Sequence, residues 1–236
     1  DFCPYRVDEN GFITLVGVPS YADDITLDGE TLDLPDMWFI DYIGTGAFYG
    51  ASKLQKVTIP ADVSAMRMNA FAGAAADSEK VTLVFESETP IDLLGYSPEV
   101  PFCFGLTDDK IKIEVPKGCE EAYIDAWKYP MAGYSDADSM KAQITDELKK
   151  KNPDMNEKKL DEEVHARMAE ILTPAENRLR AMMGLEQITE PADDSSGDQE
   201  TAATGDSLTE SNQEDTIKTD DMKVEDTEED TEGDTE

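Results

Sequence analysis

A chain of 236 residues with 54 acidic and 20 basic side chains has a formal net charge of -34 at pH 7, which repels phosphate backbones and argues against a nucleic-acid partner. Hydrophobic residues make up 39%, enough for a core, but no run of about 18 apolar residues occurs, so no membrane span is expected. Cys3, Cys103 and Cys119 lack C-x2-C spacing, which argues against a zinc ribbon and a dithiol redox site.

The chain opens at Asp1 with no methionine and no apolar leader core, so it is read as processed or as a fragment. Phe12 to Val16 follows the turn residues Asn10-Gly11 as a strand-like run, entering as though an earlier coil preceded it. Leu32-x-Leu34-Pro35 lies 25 residues before Val57-x-Ile59-Pro60 and is read as the strand of a degenerate coil. Met37, Trp38 and Phe39 fall at the insertion that lengthens that coil. They are expected to be core, with an exposed contact patch as the alternative.

From Ile43 to Phe85 one pattern is written twice. The first copy is Ile43-x3-Ala47-Phe48-x-Gly50-x3-Leu54-x2-Val57-x-Ile59-Pro60-x2-Val63, and the second begins at Met66 with Ala70-Phe71-x-Gly73, an offset of 23 residues. A period in the twenties marks a solenoid, whose units bury apolar surface only against their neighbours. Phe48 and Phe71 should stack between coils, Gly50 and Gly73 should turn corners at positive φ, and Val57-Thr58-Ile59 and Val81-Thr82-Leu83 should be strands. Those two strands are 24 apart, so the second copy is assigned one inserted residue. Ser78 stands where the first copy has Leu54, and the small stretch Ala74 to Asp77 points to a loosely packed second coil.

Ile43-Gly44-x2-Ala47-Phe48-x-Gly50, Leu54-x2-Val57-x-Ile59-Pro60 and Ala70-Phe71-x-Gly73 resemble the BspA-like class of leucine-rich repeats. Ile111-x-Ile113-x-Val115-Pro116-Lys117-Gly118-x4-Tyr123-x3-Trp127 resembles the segment that closes such arrays with a last strand and a short helix. The resemblance covers roughly residues 12 to 134. It implies a short leucine-rich-repeat-like array of parallel strands, a setting outside the cell or on its surface, and an unidentified protein or glycan ligand.

Between the repeat and the closing segment, residues 86 to 104 contain Ser87-Glu88-Thr89-Pro90 and Gly95-Tyr96-Ser97-Pro98 and are read as a long surface connection, with ligand binding as the alternative. Phe102 and Phe104 should return it to the core. Cys103 and Cys119 flank the closing strand and could pair in an oxidising compartment or stay as buried thiols.

From Ser135 the period becomes helical. Met140, Ile144 and Leu148 mark a first helix with Ser135 and Asp138 as its cap signal, and Asn152-Pro153 breaks it. Leu160, Val164, Met168 and Ile171 mark a second, and Thr173-Pro174-x-Glu176 is read as the start of a third that ends at Gly184. Three short helices would cover the open end of the array, with Met182-Met183 in their core rather than facing a partner. From Thr189 to Glu236 there are 19 acidic residues, two lysines and no aromatic, so this tail is expected to be disordered. The domain reading is therefore 1-134 solenoid, 135-188 helical segment and 189-236 acidic tail.

No catalytic, cofactor-binding or metal-binding residue is assigned. The single histidine, His165, lies beside Glu162 and Glu163 in a helical pattern and is read as solvated. No G-x-S-x-G, G-x-G-x2-G, phosphate-loop or H-E-x2-H motif occurs, and Asp193-Asp194-x2-Gly197-Asp198 lacks the alternating ligands of a calcium loop. A non-catalytic binding or adhesion module is the first functional expectation. The second is the terminal structural part of a larger secreted protein, with the tail as spacer. An enzyme acting through scattered carboxylates comes last, because a shallow solenoid face lacks the concave pocket that shifts carboxyl pKa values.

Overall fold

The computed structural model describes residues 4-95 and 104-189. One compact unit runs to Ala192, and a second, from Asp193, lies wholly outside the described residues. The first unit is a β-solenoid of about three turns followed by helices.

Each coil contributes a strand to each of two sheets. In the five-stranded sheet lie β1 (Tyr5–Val7), β2 (Ile13–Leu15), β4 (Tyr42–Ile43), β6 (Ala65–Arg67) and β8 (Asp92–Leu94), in that order. The four-stranded sheet holds β3 (Asp24–Thr26), β5 (Lys56–Ile59), β7 (Val81–Phe85) and β9 (Ile111–Glu114). All pairings are parallel except β1 with β2. Alternation does the sorting: in β7, Val81, Leu83 and Phe85 point inward while Thr82 and Val84 stay half-exposed.

Three sequence expectations change. The strand facing Val57 is β3, through Ile25, whereas Leu32 and Leu34 lie in the irregular connection between β3 and β4. The spacing rule misled because Leu32 is buried without being extended. Second, Val57 pairs with Leu83 and Ile59 with Phe85, an offset of 26 rather than 24. A two-residue slip keeps every side chain on its own face, so the hydrophobic pattern could not distinguish the two registers. Third, the strand position that an earlier coil would take beside β2 is filled by β1, running the opposite way.

The repeat residues do their assigned work. Phe48 and Phe71 are fully buried and stack with centroids 4.3 Å apart and planes 7° apart. Gly50 and Gly73 take φ of +83° and +75°. The small-residue stretch is better packed than expected: Ala74 and Ala75 are buried, and the Lys110 ammonium donates to the carbonyls of Ala75 (3.2 Å) and Ser78 (3.3 Å).

The array is closed by α1 (Glu120–Met131), whose Tyr123 and Trp127 are buried against Phe85. Trp127 Nε1 donates to Ile91 O at 2.8 Å and the Tyr123 hydroxyl to Ser87 O at 2.8 Å. Residues 87 to 94 are thus pinned and partly strand, not a free loop, and Phe104 is core as expected. Phe102 and residues 96-103 generally lie outside the described residues.

Burial, then the negative charge of the nearby Cys119 side chain as thiolate, pushes the Tyr123 phenol up to about 12. The folded state holds this proton more tightly than the unfolded chain, so the associated stability is complete below about pH 10 and is lost as pH rises through about 12. Tyr123→Phe is expected to remove about 2 kcal/mol of that alkaline decline in urea melts. An unchanged slope between about pH 10 and pH 12 would contradict the assignment.

Two helices, not three, follow α1. α2 (Ala137–Lys151) is capped by Asp136, which accepts from Ser139 N at 2.7 Å, one residue on from the Ser135 end of the expected Ser135 and Asp138 cap signal. α3 (Glu157–Met183) runs straight through Thr173-Pro174, where a new helix start was expected, and ends at Gly184 with φ +72°. The proline removes one backbone donor. Continuity is supported from both sides, since Leu160 and Val164 pack with Met140 and Ile144 while Ala175, Leu179 and Met182 belong to the solenoid core. Thr173 Oγ1 also donates to Ala169 O at 2.9 Å beside the interruption. The cover over the array is therefore α1 and the second half of α3, while α2 and the first half of α3 form a hairpin with a core of their own. Arg178 locks α3 to the array through both carboxylate oxygens of Asp108, and Arg180 locks it to α1 through Glu121.

Candidate functional site

The clearest exposed apolar feature lies on the connection from β3 to β4. Met37, Trp38 and Phe39 are 95%, 41% and 48% exposed, so the expectation that they are core is wrong. Their neighbour Ile40 takes the buried place, at 1%. The local cause is a pair of turns, closed by Leu34 N donating to Gly29 O at 2.8 Å and Trp38 N to Pro35 O at 3.0 Å. A side chain on Gly29 would meet Trp38 O at 3.1 Å, so a glycine is what lets this corner fold tightly.

Met37 has φ +67°, a left-handed conformation that costs a non-glycine residue on the order of 1 kcal/mol. Stability alone would favour glycine or asparagine there. Trp38 lies edge-on to Tyr5 of β1, with centroids 6.1 Å apart, and just before β2 Phe12 meets Tyr42 at 5.5 Å. Beneath the corner is a recess of about 230 Å³ lined by Met37, Trp38, Phe39, Pro60, Asp28 and Asp62, among others. It is small and open to one side. Such a surface offers aromatic area, sulfur contacts and a carboxylate rim, the composition of a contact surface.

The other expected features are placed as follows. His165 sits exposed on α3, its Nδ1 2.7 Å from Asp161 O. Met182 is buried at 2%, in the core as expected. Cys119 is half-buried at the start of α1, and its expected partner Cys103 lies outside the described residues, as does Asp193-Asp194-x2-Gly197-Asp198. Among the described residues no group of three or more His, Cys, Asp and Glu could hold a metal ion, and no helix is long and apolar enough to cross a membrane. Among the same residues, Asp109 and Asp136 are the carboxyls held below their ordinary range, by hydrogen bonds from Thr107 and from the Ser139 backbone respectively. Both therefore stay ionised.

Sequence reasoning did single out Met37 to Phe39 but put it on the wrong side of the surface. The signal that could have corrected it is Pro35-Asp36 immediately before, a turn pair that takes the following residues outward. No protein-family profile matches the chain, and no curated protein or solved structure is significantly similar to it.

Proposed function

We propose that the protein is a non-catalytic binding module that presents the Met37-Trp38-Phe39 corner to a macromolecular ligand, protein or glycan, outside the cell or on its surface. The observation that carries the proposal is the exposure of three consecutive large apolar residues with Met37 in a strained conformation. Exposure leaves apolar area in water that a covering ligand removes, and the strain at Met37 is what holds these side chains outward to meet it. The resemblance of the repeat to BspA-like leucine-rich repeats supports the extracellular setting.

Trp38→Ala is the direct test. Tryptophans at the centre of an interface commonly cost about 2 kcal/mol or more on truncation, so binding to an extracellular-matrix or glycan array should weaken by about thirtyfold. Trp38 is 41% exposed, and the thermal transition should move little. An array signal that survives Trp38→Ala and Phe39→Ala unchanged sinks the assignment of the corner. Met37→Gly should raise stability in urea by about 0.5 to 1 kcal/mol, since glycine adopts the left-handed conformation without strain. A destabilised Met37→Gly protein would show that the strain is not there.

The cover of α1 and α3 over one end of the array favours a second reading, in which the chain is the closing part of a larger secreted protein and its acidic tail a spacer. Mass determination of the native protein tests this second reading, which a native chain no longer than this one would sink.

A further inference from the structure

We propose a second docking site, distinct from the aromatic corner: the outer edge of β3, which takes an extended basic segment of a partner protein as an added strand. β3 stands first in its sheet and pairs with β5 alone. Asp23 O accepts from Lys56 N at 3.0 Å and Leu27 N donates to Thr58 O at 3.0 Å, so the ladder to β5 uses residues 23, 25 and 27. The peptide groups of Asp24 and Thr26 consequently face away from the sheet. Asp24 N is taken by the carboxylate of Asp23 at 2.9 Å, which leaves Thr26 N–H and the two carbonyls for an incoming strand.

Natural edges are guarded by shortness, charge, prolines, bulges or a covering element. Here the guards are a length of three residues and the exposed charges of Asp23 and Asp24, with Pro4 and Pro19 flanking the groove, and a negatively charged guard turns away acidic strands while admitting a basic one. In the companion sheet β1 lies reversed on β2, whereas β3 has no strand paired to its outer side among the described residues. Charge selects its chemistry. Asp23, Asp24 and Asp33 are exposed along a groove of about 350 Å³ beside β3, with Tyr21, 80% exposed, and the apolar Ile25 and Leu32 also lining it. A second copy would set one acidic edge against another in a chain of net charge -34, whereas a lysine or arginine can lay its stem on the exposed Tyr21 ring and its cation near the aspartates. Backbone pairing supplies affinity and the groove supplies preference, as in other strand-addition complexes.

The test uses the full chain and a fluorescent peptide of about nine residues alternating lysine with threonine or valine, read by anisotropy. A second peptide has alternate backbone amides N-methylated, which keeps its charge and removes its strand donors. The expected result is saturable binding that weakens about tenfold or more on N-methylation and likewise for Thr26→Pro, which blocks the edge without touching the ladder to β5. Trp38→Ala should leave this binding unchanged, so failure here is distinct from failure at the aromatic corner. Equal binding of the N-methylated peptide would reduce the effect to net charge and overturn the proposal. So would loss of binding in Trp38→Ala, or no saturation up to a concentration on the order of 1 mM. If Thr26→Pro unfolds the protein, the N-methylation comparison decides alone.

Discussion

Phe71→Ala is expected to lower the unfolding free energy by about 3 to 5 kcal/mol, as for other buried aromatic truncations. The ring is fully buried and lies flat on Phe48 at 4.3 Å, so its loss empties a layer between two coils rather than a pocket at the surface. The coils cannot collapse into that space freely, because Phe48 N donates to Ala70 O at 3.0 Å and Phe71 N to Phe104 O at 3.0 Å, holding three chain segments at fixed spacing. Urea unfolding with an unchanged denaturant slope is the measurement, and a cost below about 1 kcal/mol would contradict the stacked ladder. Tyr49→Ala is the control on the same corner, since that ring is 75% exposed and should cost far less.

Trp127→Ala should cost a similar amount, about 3 to 5 kcal/mol, but through a different mechanism. Its indole meets Phe85, Phe104 and Tyr123 edge to face, at 5.1, 5.9 and 4.9 Å, and its N–H satisfies the carbonyl of Ile91. Trp127→Phe separates the two contributions: it keeps most of the apolar contact and leaves the Ile91 carbonyl without its donor, a loss of about 1 to 3 kcal/mol. Amide exchange should show the alanine variant loosening β9 and the Ala175 to Met182 part of α3 together, because both rest on this layer. Protection lost in only one of them would mean that the aromatic layer does not join helix to array.

How much of this was legible in the sequence depended on how local the governing physics was. Phe48, Phe71, Gly50, Gly73, Tyr123 and Trp127 each carry a requirement set within a few residues or by the repeat itself, and the structure places them as read. The second sheet was not legible, because β4 is two residues long and β6 and β8 three, too short for alternation to stand out. The pairing of Val57 with Leu83, where the repeat spacing pointed to Val81, escaped because both choices bury the same face. Pro174 obeys the local rule for a helix start, yet tertiary packing on two cores carries α3 through it. At the aromatic corner the composition was noticed and the direction missed, since apolar character reports preference for burial and says nothing of a turn that opposes it.

The lock between α3 and the array has a consequence in time. Arg178 reaches Asp108 across 70 residues and Arg180 reaches Glu121 across 59, so the layer around Trp127 is completed only by chain made well after it. At about 5 to 20 residues per second, a nascent chain has its last coil covered by α1 alone for roughly 3 to 14 s before Met182 emerges. During that interval the apolar surface that α3 will cover is open to any holdase, and destabilising α3 would lengthen the exposure. Leu179 and Met182 thereby govern how long the unfinished protein is at risk of aggregation, a role separate from their share in the stability of the finished one.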